Sequence, residues 1–150
     1  DLSARSRLEE HALACLAAIR SGYRLPNGIY GEMADPHSRL QSNPLMHLFE
    51  ASMHWEAVGA SAEWHALADE VAAVALQIFI DPDGGFLREH VGEQGPRTDA
   101  LGRLVEPGHQ FEWAWLLSIW AARRNDARAL EAARRMYELA CGHGAWQSMH

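Results

Sequence analysis

The sequence has little of the residues and segments on which several protein classes depend. Cysteine occurs twice, at Cys15 and Cys141, both in predicted helices and without a Cys-x-x-Cys pair. A disulfide framework and the usual kind of zinc site are therefore disfavoured, and a reducing cytoplasm is the expected location. No apolar run is long enough to span a bilayer and no signal peptide is recognisable, so we expect no membrane partner.

Positive charge is also scarce. Lysine and arginine number 13 against 20 aspartates and glutamates, which gives a formal net charge of -7. No basic cluster stands out, so nucleic acid is not an expected partner. Apolar residues make up 48% of the 150 residues, enough for one folded domain with a core.

The chain starts inside the approach to a helix and stops just after a turn. From these two ends we expect it to be a piece of a longer protein.

The spacing of apolar residues predicts five helices separated by turns and long loops. Asn43 and Pro44 are expected to begin the second helix, and Ser61 and Asp126 to cap the third and fifth. The fourth helix is apolar on all sides, which predicts that Trp115 and Trp120 are core residues. A short strand is expected within 85–91. The predicted helices cover residues 4–20, 44–59, 61–80, 109–123 and 126–141.

The order of loop, helix, short turn and helix recurs along the chain. Both long loops contain Gly-x-x-x-Glu, at residues 28–32 and 85–89, which start 57 residues apart. This indicates a helical-hairpin repeat of about 60 residues, whose units bury their faces by stacking on neighbours.

Two helix starts each carry a histidine and a glutamate three residues apart. Residues 43–50 read NPLMHLFE and residues 107–113 read PGHQFEW, and their histidines are 62 residues apart. At this spacing two side chains lie on one helical face and can touch. An imidazole backed by a carboxylate is a common device for moving a proton near neutral pH. The pattern therefore predicts paired His/Glu sets that point at one site.

These two segments resemble the N-acylglucosamine 2-epimerase superfamily, which groups sugar 2-epimerases with aldose–ketose isomerases of mannose-like sugars. Residues 43–51 resemble its Asn-Pro-x-Met-His-Leu-x-Glu-Ala helix start, and residues 107–113 its Pro-Gly-His-x-Phe-Glu-Trp segment. Arg39, just ahead of Asn43, matches a common basic position. The motifs look closer to the mannose isomerase and N-acylglucosamine epimerase branches than to cellobiose epimerases.

The resemblance implies an all-α fold, an (α/α)6 barrel with its active site at the mouth. Five of twelve helices would be present, with 44–59 and 109–123 as inner helices, so residues 1–150 are expected to be a fragment of a longer catalytic domain. The family also carries an arginine upstream and a second catalytic histidine downstream, and neither is in this chain. The isolated chain is therefore expected to hold half of an active site and to lack full activity.

The expected chemistry is proton transfer at C2 of an open-chain sugar, without a cofactor or metal. We expect His109 to be one acid/base, since the positive end of the helix dipole would keep its neutral form available. Glu112, one turn on, would orient the ring. The alternative for His109 is a structural residue that caps a helix.

The remaining site predictions concern substrate contact. The resemblance implies that His47, with Asn43 and Arg39 beside it, contacts the sugar, and Trp113 is a candidate to border it. Asn43 could instead be only an N-cap. Glu89 recurs in the family's loop pattern, but a loop salt bridge would explain it equally well.

The preferred function is aldose–ketose isomerisation of a mannose-like monosaccharide, and 2-epimerisation of N-acylglucosamine is the alternative. A metal centre built from the two His-x-x-Glu pairs is a weaker alternative, because dinuclear carboxylate centres present Glu-x-x-His and further glutamates. A non-catalytic helical-repeat binding module also stays open, as does a homodimer. A phosphorylated sugar would require basic loop residues, for which Arg39, Arg88, Arg97 and Arg103 are available.

Overall fold

The fold comes from a computed structural model, which describes residues 2–25, 30, 40–92 and 95–142. Within these ranges the chain is mainly helical, and the predicted all-α architecture of five helices is confirmed. Three short strands form an antiparallel sheet in the order β1-β2-β3. The helices are α1 Leu2–Tyr23, α2 Ser42–Ala57, α3 Ala62–Val74, α4 Pro107–Arg124 and α5 Ala127–Cys141, and the strands are β1 Leu40–Gln41, β2 His90–Gly92 and β3 Gly95–Pro96.

Helices α2 and α4 lie side by side and run in the same direction. At their N-terminal ends, Ser42 of α2 and His109 of α4 both contact the Glu89 carboxylate. At their C-terminal ends, the Arg124 guanidinium of α4 lies 2.7 Å from the Glu56 carboxylate of α2. The two histidine-bearing helix starts therefore open at the same end of the molecule, as the repeat predicted.

Aromatic rings fill the space between the helices. Phe49 of α2 stacks on Trp113 of α4 with ring centroids 5.8 Å apart, and both side chains are completely buried. Trp55 stacks on Trp64 of α3 at 5.6 Å. The two stacked pairs lie between α2, α3 and α4, and this is where the core is. Burial of such large apolar side chains is the dominant favourable term in folding.

An ionic network joins the C-terminal ends of α2 and α4 to α3. The Arg124 guanidinium lies between the Glu56 and Asp69 carboxylates, with N···O distances of 2.7 Å to each. Asp69 also accepts a hydrogen bond from the Trp120 indole at 2.9 Å, and His65 lies 2.9 Å from Glu56. Charged groups tie the three helices together at the end opposite the two histidines.

Helix α2 begins earlier than the sequence predicted. Its first residue is Ser42, and Gln41 occupies the N-cap position without a side-chain hydrogen bond. Asn43 is therefore in the first turn and not the cap. Ser61 occupies the N-cap position of α3 as predicted, but its side chain makes no cap hydrogen bond. Asp126 does cap α5, where its carboxylate accepts from the amides of Arg128 and Ala129.

The predicted third helix ends in a π-helical turn, Ala75–Phe79. The Ile80 amide donates to the Ala75 carbonyl at 2.9 Å, five residues back. The wider turn changes the phase of the helix, so Phe79 is buried and Ile78 is only half-buried. Ile80 then forms a β-bridge with Leu87. Within the range 85–91, where a strand was expected, residues 90 and 91 belong to β2 and Leu87 forms the bridge to Ile80.

The all-round apolar helix α4 is buried on one side only. Trp120 is buried as predicted, but 51% of the surface of Trp115 is exposed, so its assignment to the core was wrong. Two residues advance an α-helix by about 200°, which turns Trp115 away from the side on which Trp113 meets α2. In the part of the chain that is described, no helix combines the length and apolarity needed to cross a membrane.

Candidate active site

The candidate site lies where the first turns of α2 and α4 meet the segment before β2. His109 is the third residue of α4, after Pro107 and Gly108. Its Nδ1 atom lies 2.8 Å from Oε2 of Glu89, and 24% of its side-chain surface is exposed. The ring is thus held through its Nδ1 atom, and part of the ring lies at the protein surface.

Glu89 is the most constrained acidic residue of the site. Only 4% of its surface is exposed. Its Oε2 atom accepts a hydrogen bond from the Ser42 hydroxyl at 2.9 Å, and its Oε1 atom accepts one from the Glu106 amide at 3.3 Å. A buried carboxylate is tolerated when donors surround it, and these contacts supply them.

The pKa of His109 moves in the direction opposite to the one expected from the helix dipole. Burial of the ring lowers this pKa, but the hydrogen bond and charge of Glu89 outweigh burial, and the charges of Glu106 and Glu112 add to them. The net pKa is raised above the ordinary histidine value. A carboxylate in contact has a stronger effect on the imidazolium than a partial charge at a helix terminus.

Glu112 does not contact His109 as the i,i+3 spacing predicted. It is exposed, and no hydrogen bond or ion pair joins it to His109 within the described residues. It acts on the ring only through its charge. Glu89 takes the orienting position that the sequence assigned to Glu112, because the loop before β2 brings Glu89 to the buried side of the ring.

The second His/Glu pair is looser and faces solvent. Nδ1 of His47 lies 3.8 Å from Oε2 of Glu50, and the two side chains are 65% and 43% exposed. Asn43, one turn earlier in α2, is half-buried. Both therefore lie on the histidine-bearing end of α2. Arg39, the third substrate contact that the resemblance implies, lies outside the described residues.

Trp113 has no surface available to a sugar in this structure. The residue is 0% exposed and its ring packs on Phe49. Its position in α4 makes it part of the core between the two helices, and the prediction that it borders the substrate is not supported.

Sequence reasoning missed the residue that anchors the loop beneath the site. Gln110 is fully buried, and its side-chain amide forms two hydrogen bonds with Leu87. Its Nε2 donates to the Leu87 carbonyl at 2.9 Å, and its Oε1 accepts from the Leu87 amide at 2.8 Å. The Gln110 side-chain amide thus hydrogen-bonds to both backbone groups of Leu87, as the backbone of a neighbouring β-strand would. The recurring Gly-x-x-x-Glu motif pointed to Glu89, but no local spacing signalled Gln110.

The arginines considered for a phosphate are engaged with other groups. Arg88 pairs with Asp81 and also lies over the Phe86 ring. Arg97 pairs with Asp99, whose pKa falls to about 2, mainly through the hydrogen bond from Arg97. Arg103 donates to the Thr98 carbonyl at 3.1 Å.

Metal-ligating residues do not cluster in the described part of the chain. Across residues 2–25, 30, 40–92 and 95–142, no group of three or more histidine, cysteine, aspartate or glutamate side chains is placed to hold a metal ion.

Known proteins provide an independent comparison for the chain. The profile of one family, described as N-acylglucosamine 2-epimerase (GlcNAc 2-epimerase), matches residues 5–150. The chain is 49% identical over 107 residues to a mannose-6-phosphate isomerase of Rhizobium meliloti (strain 1021), which is 69% of this chain and 28% of that protein. It is 33% identical over 96 residues to an N-acylglucosamine 2-epimerase of Bos taurus, which is 63% of this chain and 22% of that protein. These matches cover about a quarter of the length of each relative. No solved structure gives a significant match.

Proposed function

Since this chain belongs to the N-acylglucosamine 2-epimerase family, we propose that its parent protein interconverts mannose, or a mannose-like aldose, with the corresponding ketose. The names of the two relatives support a sugar isomerase or epimerase. In this proposal residues 1–150 form part of a longer (α/α)6-barrel catalytic domain, and the parent protein holds the complete site.

The observation that carries the proposal is the placement of His109. Its ring stands at the start of α4 with Nδ1 engaged by a buried carboxylate, which leaves Nε2 for the substrate. As a base, Nε2 removes the proton on C2 of the open-chain aldose. The electron pair of that C–H bond forms the C1=C2 bond of an enediol, while the carbonyl oxygen on C1 takes up a proton. Return of a proton to C1, with loss of the proton on O2, gives the ketose.

The other predicted site residues take supporting roles in this proposal. His47 and Asn43 contact the sugar from the start of α2, together with Arg39. Glu112 is exposed one turn beyond His109, where its carboxylate can accept a hydrogen bond from a sugar hydroxyl. Trp113 is omitted because it is buried.

The charges near the site favour a sugar without a phosphate. Arg39 lies outside the described residues. Within them, Arg88 and Arg97 already pair with aspartates, and the charged groups that act on His109 are the carboxylates of Glu89, Glu106 and Glu112. A phosphate dianion would be repelled by these carboxylates. We therefore propose free mannose as the substrate and treat mannose 6-phosphate as the comparison substrate.

Epimerisation at C2 is the second candidate, supported by the name of the relative in Bos taurus. It shares the first proton transfer but returns the proton to the opposite face of C2. The location and assembly of the protein stay predictions. We propose a cytoplasmic enzyme, supported by the low cysteine content of the sequence and its lack of a Cys-x-x-Cys pair.

The experiment is exchange of the C2 proton in heavy water by the full-length protein. Mannose, mannose 6-phosphate and N-acetylmannosamine are each incubated with it and followed by NMR. We expect deuterium in mannose together with formation of the ketose. A C2 epimer without ketose would support the second candidate, and no deuterium in any of the three sugars would overturn both in favour of a non-catalytic module.

Substitution of His109 tests the assignment of the base. His109→Ala is expected to abolish exchange in a folded protein, whereas His11→Ala, at an exposed position on α1, should leave it unchanged. Exchange retained by His109→Ala would move the acid/base role to another residue.

A further inference from the structure

Glu89 has a geometry that suits one purpose, which is to hold the His109 ring. Its carboxylate is buried and three donors already face it: the Ser42 hydroxyl, the Glu106 amide and the His109 ring. Because only 4% of its surface is exposed, the Glu89 carboxylate is closed to a substrate that approaches from solvent. It can affect the reaction only through the histidine that it contacts.

The backbone on both sides of Glu89 is fixed by hydrogen bonds. Gln110 pairs with both backbone groups of Leu87, two residues earlier. The Arg88 amide donates to the Phe79 carbonyl at 2.9 Å, and the Glu89 carbonyl accepts from the Ser42 amide at 3.1 Å. Gln110 directly follows His109 in α4. Gln110 therefore sets the position of the loop that brings the Glu89 carboxylate to the His109 ring.

The contact defines which ring nitrogen carries a proton. Oε2 of Glu89 can only accept, so Nδ1 of His109, at 2.8 Å, has to be the donor. A neutral ring with a proton on Nδ1 has an unprotonated Nε2, which is the form that a base requires.

We propose that Glu89 is the positioning residue of His109, fixing Nδ1 as the protonated nitrogen and leaving Nε2 to exchange a proton with the sugar. The consequence for the reaction rests on the proposed function. The pairing itself does not, because it can be measured on the histidine without any turnover.

Two further carboxylates face the same ring and serve as matched controls. Oε2 of Glu106 lies 3.7 Å from Nδ1 of His109, and its side chain is 54% exposed. Glu112 is exposed on the next turn of α4. Both raise the pKa of His109 through charge alone, and solvent screens their effect. Glu89 differs from them in burial and in direct contact.

The test is an NMR titration of ¹³C- and ¹⁵N-labelled histidine in the full-length protein, with the His109 signal assigned by its loss in His109→Ala. Glu89→Gln should lower the pKa of His109 by about one unit or more, since it removes a charge in contact. Glu106→Gln and Glu112→Gln should lower it by a few tenths of a unit. An unchanged pKa in folded Glu89→Gln would overturn the pairing.

The unmodified protein gives a second readout that does not depend on the folding of a variant. The ¹⁵N shifts of neutral His109 should show the proton on Nδ1, whereas free histidine prefers it on Nε2. A proton found on Nε2 would overturn the proposal.

Kinetics then test the positioning role separately from the function. Glu89→Gln should reduce kcat for C2 exchange at least tenfold with little change in KM, and shift the acid limb of the rate profile to lower pH. Unchanged kcat in a variant whose His109 pKa has fallen would overturn the positioning role. Absence of exchange in the unmodified protein would instead overturn the proposed function, and the titration would still decide the pairing.

Discussion

Replacement of Gln110 by methionine removes the two hydrogen bonds that anchor the loop beneath the site. Methionine has a similar length but can neither donate to the Leu87 carbonyl nor accept from the Leu87 amide in the same way. Both residues are completely buried, so water does not replace the lost partner.

The expected cost follows from the two backbone groups that lose their partners. A buried donor or acceptor left unsatisfied costs about 1–3 kcal/mol, so two of them cost about 2–6 kcal/mol. Burial of the apolar methionine side chain offsets part of this loss in stability, by about 25 cal/mol per Å² of apolar surface buried. We therefore expect Gln110→Met to lower the free energy of unfolding by about 2–4 kcal/mol.

Urea unfolding of the full-length protein measures the global effect, and hydrogen exchange at the Leu87 amide measures the local one. Gln77→Met is the matched control, because Gln77 is exposed, and it should change stability by less than about 0.5 kcal/mol. A loss below about 1 kcal/mol in Gln110→Met, with the Leu87 amide still protected from exchange, would refute the reasoning about unsatisfied groups.

Two further predictions concern the core and the ionic network. Trp113→Ala should destabilise the protein by about 3–5 kcal/mol. Trp115→Ala, at an exposed position on the same helix, should cost about 1 kcal/mol or less. Equal losses in the free energy of unfolding, measured with urea, would contradict the packing described for α4. Burial raises the pKa of Glu56, but the hydrogen bond and charge of Arg124 outweigh it and the net pKa is lowered. Its ionised form thus stabilises the fold above the ordinary glutamate pKa, and this contribution is lost as the pH falls through the lowered value, so Glu56→Gln should flatten the acid side of a stability–pH profile. A profile identical to that of the unmodified protein would show that the pair contributes nothing.

Much of the helical framework could be predicted because its signals are local. Asp126 caps α5 as expected, and the two His/Glu helix starts lie at the same end of α2 and α4. Trp115 was misplaced because an all-apolar helix contains no periodic signal for its buried side. Which side is buried depends on the neighbouring helix.

The contacts that define the candidate site could not be predicted in the same way. Spacing within one helix suggested Glu112 as the partner of His109, but the partner in contact is Glu89, twenty residues earlier in a loop. The loop is positioned by Gln110 through backbone groups of Leu87, which every residue type except proline would offer. Tertiary contacts of this kind leave no pattern in a single sequence.

The ionic network at the far end of α2 and α4 also has a mechanical consequence. Arg124 and Glu56 fix the two helices to each other there, and His109 lies fifteen residues away along α4, about 22 Å at 1.5 Å per residue. A tilt of about 3° at the fixed end would displace the histidine by about 1 Å, a misplacement large enough to cost about a hundredfold in rate. Substitutions in the network are therefore expected to alter turnover by changing an angle, without contact with any group that the substrate meets.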